Sequence, residues 1–505
     1  MTTPPRGLTL DRWLAWFETV HPKRIDLRLD RFVAVLDALE LRKPPYKVVT
    51  VAGTNGKGSC VAMLESIYWH AGYDVGTFTS PHLWRFNERI RFNGADAGDA
   101  DLVEVFEEAA AALGPVTLSY FEASLVAALA LFRRFRPDVV VLEVGMGGRL
   151  DATNALDTDC ALIVSIDLDH REWLGDTREA IGREKAGIVR PGKPVIIGDR
   201  AVPASVLEHA AEVGAVPYLI GRDFDFRRDG SGWRRTRDTD ATRPLPLPPF
   251  GGAEQLANAA SCAAAVAALA AALPVTDAAL AAGIANAVLR GRLERHEVDD
   301  VEWVFDVGHN PAAAAGLEAT LRRWPTPKRA WIVFAAMRDK DLKGVVEPFA
   351  ATAAGWFVAQ ASSDRGATGD ELATLLDSLG AARVHVAGDG AAACDAARNA
   401  GARRGLWHEA ERYATGLRRL GIVVPEGGPG AVARTAPDHR FDHHALDRLA
   451  VDVEHLAADL QPRRQDRIPT PLLAGDEDER LGGGAVLVVR GLHLQRAHGE
   501  PFEAI

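Results

Sequence analysis

The sequence is poor in cysteine. Cys60, Cys160, Cys262 and Cys394 are the only four in 505 residues, far apart and without a CxxC spacing. That pattern gives no disulfide framework or zinc ribbon and suits a reducing compartment. Long hydrophobic runs are missing as well. The longest apolar stretches are the Ala-rich segment Cys262 to Leu273 and short strands such as Val139 to Val144, below the roughly 18–20 residues of a membrane span. The opening residues MTTPPRGLTLDRWL hold no apolar signal region, so no secretory leader is expected. Basic charge is not in excess either. The formal net charge is −11, which argues against a chain that coats nucleic acid. The expectation is a soluble, cytoplasmic protein, without nucleic-acid or membrane partners, and a monomer by default.

What the chain does have is apolar material for real cores: 47% of its residues are hydrophobic and 25% charged. At this length two domains are expected. Residues Leu10 to Leu41 look helical, broken at His21-Pro22. Lys47 to Val51 reads as a strand, Ser59 to His70 as a helix, Val75 to Thr79 as a strand and Phe121 to Phe135 as a helix. Buried-type strands follow at Val139 to Val144 and Ala161 to Ile166, and a helix capped by Thr177 stops at Gly187. Such alternation predicts a mainly parallel, doubly wound α/β sheet. Residues 222–250 are charged and then Pro-rich, a hairpin or linker, and an Ala-rich helical stretch runs from Glu254 to Leu289. A second α/β unit shows strands at Val301 to Asp306, Ala330 to Ala335, Gly355 to Ala359 and Val384 to Val386. Beyond residue 400 the composition turns to Arg, His, Gly and Pro, and only Ala485 to Val489 reads as a strand.

Between the first strand and helix lies Val51-Ala52-Gly53-Thr54-Asn55-Gly56-Lys57-Gly58-Ser59. Successive N–H groups of a Gly-rich turn, the helix N-terminus after it and the Lys57 ammonium together suit phosphate oxygens. The usual P-loop spacing is kept imperfectly, with Val51 at the first glycine and Gly58 before the hydroxyl of Ser59. The motif names neither nucleotide nor reaction, and an ordinary βα turn is the alternative. Glu143 closes the apolar run DVVVLE, which aims its carboxylate at the crevice beyond the strand ends, unless it serves a salt bridge there. Taken singly, His170 in DLDH suits a structural histidine, and Lys185 near a helix C-terminus suits a solvated cation.

Further segments narrow the reading. TSPHLWRFNERIRFNG from Thr79, SYFEA from Ser119, LEVGMGGRLDATNA from Leu142 and SIDLDHREWLG from Ser165 join the phosphate loop in order. IGREKAGIVRPGKP from Ile181, NAA from Asn258, GRLE from Gly291 and DVGHNP from Asp306 complete the series. Together they closely resemble the dihydrofolate synthase/folylpolyglutamate synthase branch of the Mur ligases, over residues 10 to 400 or so. The resemblance implies an α/β P-loop ATPase domain with a parallel doubly wound sheet at 1–292, holding ATP and the pterin. A smaller Rossmann-like glutamate domain would follow at 293–400, and 401–505 would be an atypical, partly irregular extension or insertion. It implies ATP, Mg²⁺ and two steps. A carboxylate of dihydropteroate or of a reduced folate is phosphorylated, and the amine of L-glutamate then displaces phosphate from the acyl phosphate. Such chemistry asks for positioning and charge neutralisation more than covalent help.

Carried over residue by residue, the resemblance places ATP on Thr54, Asn55, Gly56, Lys57, Gly58, Ser59, Asn258, Arg292 and Asp306. It places Mg²⁺ on Ser80, Glu143 and His170, with Lys185 as a carbamylated, anionic ligand. Lys57, Glu143, His170 and Lys185 form the implied catalytic set. The pterin acid would lie at Ile25, Asp26 and Leu27, at Tyr120, Phe121 and Glu122, and at Leu150, Asp151 and Ala152. Aromatic rings beside carboxylates suit a flat, amide-bearing ring. Asp306 and His309 would position glutamate. Arg292 and Asp306 flank the expected hinge, so closure of two domains on one nucleotide is expected.

The sequence departs from the family at its end. The family closes its second domain with a strand and a Gly-Ser-aromatic turn soon after the position of Arg398. Here the strand comes at Val486 and the turn is Val489-Arg490-Gly491-Leu492-His493, without the serine. A long insertion, an unrelated C-terminus and a shifted reading frame all account for this. A nucleotide-binding homologue with lost or altered ligase activity is therefore the alternative function. A cell-wall Mur ligase fits less well, because the phosphate loop begins at residue 51 and leaves too little chain for an additional N-terminal domain. The cluster Asp438-His439-Arg440-Phe441-Asp442-His443-His444 reads as a solvated loop, since neither strand nor helix periodicity aims those side chains at one point.

Overall fold

A computed structural model describes residues 7–22, 28–83, 85–113, 116–236, 244–250, 253–298, 301–323, 330–338, 340–361, 366–401 and 485–491. Ile25, Asp26, Leu27 and the cluster Asp438 to His444 lie outside the described residues.

The first sheet has eight strands: β1 Lys47–Ala52, β2 Val75–Phe78, β3 Ile90–Phe92, β4 Ala95–Asp96, β5 Val139–Glu143, β6 Cys160–Ile163, β7 Pro194–Ile197 and β8 Val216–Leu219. Their order is β4-β3-β2-β5-β1-β6-β7-β8. From β2 to β8 the pairing is parallel, and β3 and β4 add an antiparallel edge. β1 and β5 are apolar on both faces because helices cover both sides, which is why they read as continuous Val/Leu runs and not as alternations. One face packs under the helices Leu10–Val20, Asp30–Ala38 and Tyr120–Phe135. The other carries the helices Lys57–His70, Ala253–Ala268 and Asp277–Ala285. The Ala-rich helical stretch expected from Glu254 to Leu289 is therefore two helices, with Leu273-Pro274 between them. Proline cannot donate the next helical bond. Residues 225–236 form the expected hairpin, β9 Asp225–Asp229 with β10 Gly232–Thr236, joined by β11 Leu245–Pro246.

The second sheet contains β12 Glu294–Val298, β13 Val301–Asp306, β14 Trp331–Ala335, β15 Gly355–Val358, β16 Val384–Val386 and β17 Ala485–Gly491. Its order is β12-β13-β17-β14-β15-β16. The last strand among the described residues thus sits in the middle of the sheet. β17 runs antiparallel to both neighbours, from Val301↔Gly491 to Asp306↔Val486 on one side and from Trp331↔Val489 to Ala335↔Ala485 on the other. Trp303, Phe334 and Trp356 are fully buried in the core of this unit.

β1 lies where strand order reverses, between β5 and β6. Ligand crevices of open α/β sheets form at that point, beyond the carboxyl ends of the strands. The loops leaving β1, β5 and β6 carry the phosphate motif, the segment after Glu143 and His170.

Candidate active site

The phosphate loop is clamped to the exit of β6. Thr54 N–H donates to the Ser165 carbonyl at 2.8 Å and Thr54 Oγ1 to that of Asp167 at 3.1 Å. Asn55 N–H donates to Ser165 Oγ at 2.9 Å, and that hydroxyl donates back to the Asn55 carbonyl at 2.9 Å. Gly56 turns the chain into the helix at φ +86°, and a Cβ there would stand 2.9 Å from Asn258 Nδ2 and from Val164 Cγ1. Only glycine meets both demands. Lys57 Nζ rests on the carbonyls of Gly53 and Thr54 at 3.0 and 3.3 Å.

Beside this loop is a cavity of about 210 Å³ lined by Thr54 to Ser59, Ser80, Glu143, Arg292 and His309. Glu143 is buried, and among the described residues its carboxylate accepts one hydrogen bond, from the Ser80 N–H at 3.2 Å. Burial pushes its carboxyl up, against the pull of Lys57, the Ser80 N–H and Arg292. A second cavity, about 390 Å³, runs between Asn55, Gly56, Asn258, Arg292, Asp306 and the helix Pro311–Arg322. Asp306 is buried. It accepts N–H bonds from Leu293 (3.1 Å) and Gly308 (2.8 Å), and Arg292 lies 3.5 Å away.

A third cavity, about 670 Å³, is lined by Thr54, Asn55, Asp169, His170, His309 and Lys340, among others. His170 has left-handed backbone at φ +48°, a conformation uncommon outside glycine and worth a functional question. Surrounding protein, with Lys340, Lys57 and Lys185, holds its imidazole below the usual range. His309 is pushed down to about 4 by burial and by Lys340 and Arg292. Its Nδ1 lies 3.2 Å from the Val307 carbonyl, so Nδ1 is the protonated nitrogen and Nε2 keeps its lone pair. Asn310 Nδ2 donates to Asn55 Oδ1 at 2.8 Å, a direct bond from the second sheet's helix cap to the phosphate loop.

Lys185 is buried on the helix Arg178–Ala186. Among the described residues its ammonium has no hydrogen-bond or ion-pair partner. Burial, then Lys57, bring it down to about 7. Among the described residues no three His, Cys, Asp or Glu side chains converge on one point. Ser80 and Glu143 share the first cavity, while His170 lines the third.

The pterin candidates divide. Glu122 takes two 2.7 Å bonds from Arg31 and caps its own helix through Ser119. Asp151 accepts from Met146 N–H, Thr153 N–H and Thr153 Oγ1. Tyr120 and Ala152 are buried. Phe121, packed edge-on against Phe78, and Leu150 stay partly exposed. Sequence reasoning missed Asn310, Lys340, Asp169 and the charges around Arg290. DVGHNP ends in an Asn-Pro helix start, a signal that would have found Asn310.

Residues 291–406 match the family model described as Mur ligase, glutamate ligase domain. The dihydrofolate synthase/folylpolyglutamate synthase of Escherichia coli is 40% identical over 379 residues, covering 75% of this chain and 87% of the relative. That of Haemophilus influenzae is 37% identical over 390 residues, covering 73% and 87%. Among solved structures, E. coli FolC in complex with DHPP and ADP matches at a TM-score of 0.72 and 39% identity, over 79% of this chain and 93% of that one. A bifunctional folylpolyglutamate synthase/dihydrofolate synthase with Mn, AMPPNP and L-glutamate bound matches at 0.71 and 38%, over 79% and 94%. With the doubly wound sheet, the phosphate loop and the three adjoining cavities in place, this chain belongs to the dihydrofolate synthase/folylpolyglutamate synthase family of Mur-type ligases, enzymes that form C–N bonds.

Proposed function

We propose that this enzyme joins L-glutamate to a pterin-bearing carboxylic acid, either dihydropteroate or a reduced folate or both, while ATP becomes ADP and phosphate. The observation that carries the reading is that Asn55 lines all three cavities. A phosphate loop, a slot beside Asn258 and Asp306, and a mixed-charge pocket that takes His309 and Lys340 from the second unit therefore open onto one residue.

The residues fit a divalent cation. Glu143 is a buried carboxylate with one protein donor, and Lys185 is a buried amine with none among the described residues. Ser80 and Glu143 would hold Mg²⁺ near the phosphate loop, with His170 on the wall of the third cavity and Lys185, whose charge bears on His170, as the remaining ligand. When bound, the ion neutralises phosphate charge and polarises the bond that breaks. Lys57 leaves its loop carbonyls for phosphate oxygens. Asn258, Arg292 and Asp306 hold the nucleoside. Phe121 and Leu150 offer the apolar contact for the pterin acid, on a wall shaped by Tyr120, Glu122, Asp151 and Ala152. The acid's carboxylate takes the terminal phosphoryl group, and the resulting acyl phosphate is attacked by the amine of glutamate, which loses a proton as phosphate leaves. His309 Nε2 accepts a hydrogen bond from that amine, and Lys340 faces a glutamate carboxylate.

A depressed amine such as Lys185 is also the reactive form for carbamylation. The neutral nitrogen adds CO₂ and releases one proton, which turns a repelled cation into an anion. The pH dependence follows. The folded amine titrates at about 7, against roughly 10.4 unfolded, so unfolding takes up a proton between these values. The handicap of burying the amine is full below about 7 and vanishes as pH rises towards the unfolded value. In CO₂-depleted buffer Lys185→Met should therefore be more stable than the parent at pH 6, on the order of a few kcal/mol, with the gap closing by pH 10. Urea denaturation at both pH values measures this. The same variant should lose about 100-fold in turnover; full activity would remove Lys185 from the metal set.

ADP release from the purified protein with Mg²⁺, ATP, L-glutamate and either dihydropteroate or tetrahydrofolate tests the function. Release that needs all three substrates is expected. Nucleotide binding without turnover on either acceptor would instead support the homologue without ligase activity.

A further inference from the structure

We infer that Arg290 is a positioning residue for the nucleotide site, joining the linker that carries Arg292 to the loop that carries Ser80. The inference rests on the ligase reading above.

Residues 286–293 connect the helix Asp277–Ala285 to β12. Within them, Arg290 turns back to the first sheet. Its Nη1 lies 2.9 Å from Asp96 Oδ2 on β4 and 3.7 Å from Glu88 Oε1. Glu88 in turn shapes the loop that begins at Thr79-Ser80, because its carboxylate accepts the N–H groups of Leu83 and Arg85, both at 2.9 Å. Asp96 is shared with Arg91 at 3.9 Å, and Arg91 reaches Glu65 on the phosphate-loop helix at 3.2 Å. The result is one alternating chain of charge, Glu65, Arg91, Asp96, Arg290, Glu88, that runs from the phosphate-loop helix to the Ser80 loop. All five side chains are at most 20% exposed, so salt screens them little.

Arg292 leaves the same linker in the other direction, towards Asp306 at 3.5 Å. Gly291, between the two arginines, is fixed on both sides. Its carbonyl accepts the Val307 N–H at 2.8 Å, and at φ +64° a Cβ would stand 2.8 Å from Val307 and 3.0 Å from Leu83. Two adjoining arginines thus pull the linker in opposite senses across a glycine wedge. Without Arg290, Glu88 loses the cation 3.7 Å from it, and among the described residues Asp96 keeps only the 3.9 Å contact with Arg91, which Glu65 shares. The tie between the linker and the Glu88 loop is then lost. Arg290 also lines the first cavity, but its role here runs through its ion pairs and not through a reacting atom. It sets where Arg292 meets the nucleotide.

Steady-state ADP release by the full chain tests this with Arg290→Gln, Arg292→Gln and the double variant, titrating ATP at saturating glutamate and acceptor. Arg290→Gln should raise KM for ATP about tenfold and change kcat less than about threefold. Arg290→Lys should recover part of the loss. In the Arg292→Gln background, Arg290→Gln should add less than about twofold, because its effect runs through Arg292. A parental KM for ATP, or a fully additive double variant, overturns the inference. Should Arg290→Gln not fold, Asp96→Asn removes the same ion pair and must shift KM in the same direction. If the parent itself releases no ADP, the ligase reading has failed. Calorimetric titration of ADP then decides the positioning role alone: about tenfold weaker binding by Arg290→Gln supports it, and unchanged binding overturns it.

Discussion

Glu143→Gln is expected to cut turnover by about 10²–10³-fold without unfolding the protein. The reasoning is a comparison among buried carboxylates. Glu122 is surrounded by the Arg31 guanidinium and the Ser119 N–H and hydroxyl, and Asp151 by three donors of its own loop. Those groups are finished by the protein. Glu143 has the Ser80 N–H at 3.2 Å and the nearby charge of Lys57, and it faces a cavity. A buried carboxylate so lightly held leaves room for the cation that the proposed function assigns to it. The neutral amide keeps the shape and removes a desolvated charge, so the folded state should keep or slightly gain stability. ADP release at saturating substrates and a thermal melt read the two effects separately. Turnover within about threefold of the parent would dismiss Glu143 as the metal carboxylate.

Ending the chain at Gly484 should have an effect as large, by a different route. It deletes β17 and leaves β13 and β14 facing each other across an empty strand position, with unpaired N–H and C=O groups on both edges. Each buried group left so costs about 1–3 kcal/mol, and the sum exceeds the roughly 5–15 kcal/mol that holds a domain folded. The second unit should then unfold. Trp303, Trp331 and Trp356 would become exposed and shift the emission to the red, and ligase activity would be lost. A chain ending at Gly491 keeps β17 and should behave as the parent. Equal emission and activity in the two truncations would show that β17 is dispensable.

Much of this was legible in the residues. Val301 to Asp306 and Val384 to Val386 coincide with β13 and β16, because short β-branched runs bounded by polar residues have few other uses. The phosphate loop and Glu143 were readable because each sits where a strand stops, and the end of an apolar run shows in one dimension. The central place of β17 was not. Its run VLVV is as plain as any other, but pairing partners are not written in a strand, and β13 precedes it by more than 170 positions. The charges around Arg290 escaped for the same reason. Arg290 and Asp96 are 194 residues apart, and a lone arginine before GRLE has no local pattern to betray it. The Ala-rich helical stretch from Glu254 to Leu289 is helical as expected, but in two pieces, and the break at Leu273-Pro274 is outweighed in the sequence by the alanines around it.

The placement of β17 also bears on how the chain is made. Translation delivers β1 to β8, the phosphate loop and the helices over them early, so the first unit can close while the rest is still being synthesised. The second unit cannot. From β12 to β16 its strands emerge with a gap at their centre, and roughly a hundred residues separate Val386 from Ala485, about 5–20 s of synthesis at typical rates. For that interval the backbone edges of β13 and β14 stand unpaired by β17 on the ribosome, side by side with a finished neighbour, until β17 clears the exit tunnel and zips between them.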